Sequence, residues 1–177
     1  MTYRIYAVLF VLLAVTLPAS AQEPPRLALE PLARFSVDLN GPVWELGKVG
    51  SQGERRIIPI TGGRFDGPDF KGKILNNGAD WQIVDGAGTA IIDTRYLLQT
   101  DDGALVYLQT KGYRHGPAEV LARIAKGELV DPSLYYFRVT MQFETSDPRY
   151  TWLNGTVGIG SAVRQAKAVV YDAYVVR

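Results

Sequence analysis

A chain of 177 residues without cysteine has no thiol nucleophile, no disulfide framework and no cysteine-based metal site. Its 19 basic residues nearly balance its 18 acidic ones, which excludes the electrostatic footprint of a nucleic-acid binder or of a protein held on an anionic membrane surface. One histidine excludes a histidine-cluster metal centre, and no metal ligand set is expected.

Arg4 precedes an almost wholly apolar run from Ile5 to Leu17, and Pro18 and Ala19-Ser20-Ala21 follow it. This is the form of a cleaved signal peptide, residues 1–21. The run is too short to span a bilayer core, which needs roughly twenty apolar residues. The mature chain is therefore expected to be periplasmic or secreted, without stable membrane insertion. Residues 22–26 form a Pro-rich leader, and 27–177 a single domain.

Short β-like runs then alternate with turn signals. They are 32–39, 43–48, 56–61, 70–75, 80–84, 89–99, 104–111, 134–144, 150–159 and 168–176. Asn76-Asn77-Gly78, Asp85-Gly86-Ala87-Gly88 and Asp101-Asp102-Gly103 supply turn chemistry, the last as a tight hairpin. One segment is helical: Pro117 opens it, 118–126 are good helix formers, Gly127 closes it, and Val120, Leu121 and Ile124 share its apolar face. The fold class expected is all-β in the main, an antiparallel β-barrel of about ten short strands with one short helix; a sandwich is the alternative.

The run from Tyr135 to Thr145 alternates cleanly. Tyr135, Phe137, Val139, Met141 and Phe143 share one face, and Tyr136, Arg138, Thr140, Gln142 and Glu144 the other. Two arrangements fit. The polar face is washed by water, or it lines a cavity. In the second, Asp80, Trp81, Arg95, Tyr136, Arg138, Glu144, Trp152 and Asn154 converge on a small anionic or phenolic-type molecule, with the arginines as anion clamps. Glu144 and Asp80 are then the catalytic candidates, because a buried carboxyl with a raised pKa exchanges protons near neutrality. His115, before Gly116-Pro117, reads as a loop or helix-entry residue, and Gly62-Gly63 and Gly72 as sites of tight turns or close backbone approach. Asn154-Gly155-Thr156 has the form of a glycosylation sequon, a short pattern of low specificity.

Seven stretches occur in a recognisable order: Arg55-Arg56-Ile57-Ile58-Pro59-Ile60-Thr61-Gly62-Gly63, Gly78-Ala79-Asp80-Trp81-Gln82, Thr100-Asp101-Asp102-Gly103-Ala104, Arg114-His115-Gly116-Pro117, Tyr135-Tyr136-Phe137-Arg138, Phe143-Glu144-Thr145 and Tyr150-Thr151-Trp152-Leu153-Asn154. With them the chain resembles domain-of-unknown-function family 3237, also called uncharacterised protein family 0311, from about residue 27 to 176. The resemblance implies an antiparallel β-barrel and no assigned activity. It adds weight to the cavity arrangement, and the signal peptide departs from it. The leading expectation is an exported barrel that binds a small molecule, with cofactor-free lyase, isomerase or cyclase chemistry in view. No cofactor and no nucleic-acid partner are expected, and a homo-oligomer is compatible with the chain. The rival is a non-catalytic structural or protein-interaction barrel.

Overall fold

The computed structural model describes residues 23–177, so the expected signal peptide lies outside the described residues. The strands are β1 (Leu29–Asp38), β2 (Trp44–Val49), β3 (Gly53–Ile60), β4 (Gly62–Asp66), β5 (Gly72–Ile74), β6 (Gly78–Val84), β7 (Ala90–Thr100), β8 (Leu105–His115), β9 (Tyr136–Glu144), β10 (Gly158–Arg164) and β11 (Ala168–Val176). The helix α1 (Ala118–Ala125) joins β8 to β9. Eight strands close an antiparallel barrel in the order β7-β5-β4-β1-β11-β10-β9-β8, with β8 returning to β7. Closure satisfies the backbone groups that an open sheet leaves at its edges. β6 takes the remaining edge of β7, from Ala79 opposite Arg95 to Val84 opposite Ala90, and β3 and β2 extend the sheet outward from it.

β4 was not among the expected strands. It continues β3 through a bend at Thr61, whose N–H donates to the Asp38 carbonyl at 2.9 Å. Gly62 and Gly63 stand at φ +144° and +130°, and a Cβ on Gly63 would fall 2.0 Å from the Ser36 carbonyl oxygen. The close backbone approach read from this glycine pair is therefore present, but inside a strand.

Side-chain alternation sets what the barrel encloses. β7 turns Ile92, Thr94, Tyr96, Leu98 and Thr100 inward, β8 turns Val106, Leu108 and Thr110, and β9 turns Phe137, Val139, Met141 and Phe143. Aromatic rings fill the end that carries the β7–β8 turn. Phe35 stacks on Tyr171 at 4.7 Å and on Phe65 at 5.4 Å, and Phe65 lies 4.6 Å from Phe70. The turn is the expected hairpin: Gly103, at φ +94°, donates to the Thr100 carbonyl at 2.9 Å.

The opposite end is covered by α1. Pro117 is its N-cap, not its first residue, and Gly127 at φ +79° closes it by donating to the Ile124 carbonyl at 3.0 Å. Val120 and Ile124 are buried against the barrel. Each contributes about 1.5–3 kcal/mol by leaving water, which holds in place a helix too short to persist alone.

Two expectations are corrected. Residues 150–159 do not form one strand: Thr151–Gly155 is a 3₁₀ turn, and β10 starts at Gly158 and runs to Arg164. The inward positions of β10 are Gly158, Gly160 and Ala162, too small to register as an apolar alternation. His115 ends β8, and its ring stacks on Tyr136 at 4.8 Å.

Candidate functional site

Three core-facing registers end in an arginine at the helix-covered end. In β8 the series Val106, Leu108, Thr110, Gly112 arrives at Arg114; in β10 Gly158, Gly160, Ala162 arrives at Arg164; in β3 Ile60 and Ile58 lead back to Arg56. Arg56, Arg114 and Arg164 line one cleft of about 430 Å³ beneath α1, with Gln82 and Glu45 beside them and Ile58, Leu121 and Ile124 as apolar wall. That volume is in the range of small-molecule sites.

A hydrogen-bonded chain runs from this cleft into the barrel. Arg56 Nη2 donates to Gln82 Oε1 at 2.7 Å, and Gln82 Nε2 donates to Asp80 Oδ2 at 2.9 Å. Asp80 Oδ1 accepts the backbone N–H of Asp93 at 3.1 Å. Asp80 and Gln82 are both buried, at 8% and 2% exposure. Burial pushes the Asp80 carboxyl up to about 6, against the pull of the Asp93 and Gln82 hydrogen bonds and of the Arg114 charge.

The arginines are held at a cost. Burial brings Arg114 down to about 10, and repulsion from Arg164 and Arg56 adds more than attraction to Asp80 returns. Burial also lowers Arg164, partly offset by Asp80. Nε of Arg56 and Nε of Arg114 are buried without a hydrogen-bond partner among the described residues. Arg164 Nη1 already donates to the Gln165 and Ala168 carbonyls, so it is the charge repulsion on Arg114 and the unfilled Nε donors of Arg56 and Arg114 that a bound carboxylate or phenolate would relieve. Below them sits a carboxyl that exchanges its proton near neutral pH.

The residues nominated from the sequence do not converge. Asp80 faces the interior. Trp81 and Arg95 are on the outside of the sheet, with the guanidinium 5.7 Å from the indole and paired to Asp93 at 3.3 Å. The polar face of β9 looks into solvent, which corrects the cavity arrangement: Tyr136, Arg138, Thr140, Gln142 and Glu144 are exposed, and their apolar neighbours fill the barrel. An eight-strand barrel is just wide enough for its own side chains, so the apolar face must occupy it. Trp152 lies half-exposed on the 3₁₀ turn beside Arg177. Asn154 braces that turn, accepting from the Thr145 N–H and donating to its carbonyl, both at 2.9 Å.

Tyr136 and Arg138 do share a larger concavity, an open groove of about 780 Å³ across the outside of β7 to β11. Arg138 lies 5.4 Å over the Tyr136 ring and donates to the Phe137 carbonyl at 2.8 Å. Its charged lining side chains, Asp93, Lys111 and Arg138, remain in contact with water, so none is poised as the buried arginines are. Arg138→Ala is expected to change stability by no more than about 0.5 kcal/mol in a denaturant melt, as exposed substitutions do. A larger loss would show that the groove is covered in solution.

Arg56, Gln82 and Arg114 stand in the stretches that carry the family resemblance but not among the nominated site residues, and Arg164 stands in neither. Their signal was parity carried to the end of the strand. A charge that continues a core-facing register is anomalous, whereas a charge on the alternate face, like Arg138, is ordinary.

Comparison with known proteins places this geometry among relatives. Residues 27–176 match the model of the family described as "Protein of unknown function (DUF3237)". A solved β-barrel-like protein from Acinetobacter baumannii AYE is 68% identical, superposes with a TM-score of 0.80, and covers 89% of this chain and all of its own. A UPF0311 protein of Rhodopseudomonas palustris strain TIE-1 is 46% identical over 134 residues, 76% of this chain and 87% of that one. The hydroalkoxylation enzyme phnH of Penicillium herquei is 29% identical over 157 residues, 88% of this chain and 87% of that one.

Proposed function

Because the chain belongs to the DUF3237 family and closes the barrel seen in its solved relatives, we propose that it binds a small organic anion, a carboxylate or phenolate, at the arginine-lined mouth, and that Asp80 exchanges a proton with it. The observation that carries the reading is the cluster of Arg56, Arg114 and Arg164, in which the buried Nε donors of Arg56 and Arg114 have no partner among the described residues. A site kept charged, crowded and unfilled loses stability unless a ligand completes it.

The similarity to a hydroalkoxylation enzyme supports a proton-transfer reaction of the cyclase, lyase or isomerase kind. Addition of an O–H across a C=C bond removes a proton from oxygen and delivers one to carbon. No electrons change hands, so the chemistry calls for no cofactor. A carboxyl held at about 6 suits both transfers. Export belongs to the same proposal and is supported by the apolar run ending in Ala19-Ser20-Ala21.

A thermal-shift screen of the chain from Gln22 against small carboxylates, phenols and sugar acids tests the reading. A binder at about 100 times its Kd adds about 2.7 kcal/mol. That increment is expected to vanish in Arg114→Met. An increment that survives there, or a library without a single binder, would count against an anion site at the mouth.

A further inference from the structure

Directly below the mouth lies a second cavity of about 50 Å³, lined by Asp80, Thr94, Tyr96, Thr110 and Tyr171 with apolar side chains around them. All five are more than nine-tenths buried. Asp80 belongs to both levels, since it lines this cavity and holds Gln82, which lines the mouth.

The hydrogen bonds of these groups do not close. Thr94 Oγ1 and Thr110 Oγ1 are 2.7 Å apart, and the Tyr96 and Tyr171 hydroxyls 2.6 Å apart. Each pair owns two hydroxyl hydrogens and uses one between its members. The second hydrogen of each pair has no partner among the described residues. Asp80 accepts one bond at each carboxylate oxygen, which leaves acceptor capacity at both. The cavity therefore offers spare donors from the hydroxyl pairs and a spare acceptor from the carboxylate.

Size and polarity together restrict the occupant. A water occupies about 30 Å³ in the liquid, so 50 Å³ admits one oxygen-bearing group and not a ring. A carbonyl oxygen would satisfy the donors and leave the carboxylate without a proton to accept. A hydroxyl does both.

We infer that this cavity is an inner subsite for a hydroxyl group of the ligand, which donates to Asp80 and accepts from the threonine and tyrosine hydroxyls, so that the ligand class is a hydroxyl-bearing organic anion. The inference rests on the proposed anion site, because the ligand reaches the cavity past the arginines. It assigns direction to the proton: the ligand O–H gives its hydrogen to the Asp80 carboxylate, and the oxygen keeps the electron pair.

Calorimetric titration of the chain from Gln22 with benzoate, 3- and 4-hydroxybenzoate and 4-methoxybenzoate tests it. At least one hydroxybenzoate is expected to bind ten-fold or more tighter than benzoate and than the methoxy analogue, which accepts but does not donate, because a buried site built around a hydroxyl discriminates against analogues lacking it. The ratio is expected to fall below three-fold in Thr110→Val and in Tyr171→Phe; a thermal melt confirms folding, and the two variants back each other. Benzoate bound without any preference for its hydroxylated forms overturns the inner subsite and leaves the anion site standing. A preference that persists in both variants overturns it too. If none of the probes binds, the anion site has failed for these acids. A high-resolution crystal structure of the ligand-free protein then decides the cavity. A solvent oxygen within hydrogen-bonding distance of Asp80 and a hydroxyl pair supports the subsite, and a dry cavity overturns it.

Discussion

Replacing Arg114 by methionine is expected to raise the unfolding free energy at pH 7 by about 2–3 kcal/mol while abolishing the thermal response to small carboxylates. Burial, and then repulsion from Arg164 and Arg56, lower Arg114 from the ordinary arginine range to about 10. At about 1.4 kcal/mol per pH unit between those values, keeping the side chain charged costs about 3 kcal/mol. The cost is present throughout the range below about 10 and fades only as the pH rises through that value towards the ordinary arginine range, so a measurement at pH 7 sees it in full. Methionine fills much the same space beside Phe137 without the charge, and the attraction to Asp80 that is lost is smaller than the repulsion from Arg164 and Arg56 that is relieved. For a domain of this size each kcal/mol moves Tm by about 2–4 °C. Denaturant melts at pH 7 check the sign. A loss of stability would mean that Arg114 is satisfied within the protein and is not waiting for a ligand.

Asp80→Asn should tilt the pH dependence of stability. The folded-state pKa of Asp80 is raised from 3.8 to about 6, so its favourable contribution is fully present below about 3.8 and is lost as the pH climbs through about 6. The wild type thus loses about 2–2.5 kcal/mol from this group between pH 4 and pH 7. Asparagine has no such loss. The difference between the two proteins is therefore expected to move by about 2–2.5 kcal/mol in favour of the variant over that interval. Asp102, Asp131, Asp147 and Asp172, whose pKa values are lowered, push the opposite way, but they are common to both proteins and cancel. The amide also obliges Gln82 to turn, which sets an N–H against Arg56 and breaks the 2.7 Å bond there. That penalty shifts the variant at every pH and does not alter the slope. A flat difference across pH 4–7 would show that Asp80 titrates as an ordinary carboxyl.

The two predictions address one trade. Arg114 and Asp80 each impose a penalty on the empty fold; Arg114 lines the mouth and Asp80 the inner cavity. Destabilising groups gathered at one end of a barrel, opposite an end packed with stacked rings, mark where stability has been given up for chemistry.

Period-two alternation and turn chemistry are local properties of the chain, and they determined the antiparallel β character, the hairpin at Asp101-Asp102-Gly103 and the helix before Gly127, while barrel and sandwich both fitted them. Where a strand's inward positions are glycine or alanine, as in β10, no local signal existed, and the strand was legible only once Met141 and Val139 supplied the volume its side chains lack. Alternation states that two faces differ and not which of them is enclosed. That choice needs all eight strands at once, because the closed barrel has room for the apolar faces and none for a second set of charges. Closure put Arg138 and Glu144 in water and brought Arg114 and Arg164 to one rim, and the pairing of β3 with β6 beside the barrel added Arg56. Each strand could mark its own arginine as anomalous, but their convergence was invisible to any reading one strand at a time. It is made by the register in which those strands meet.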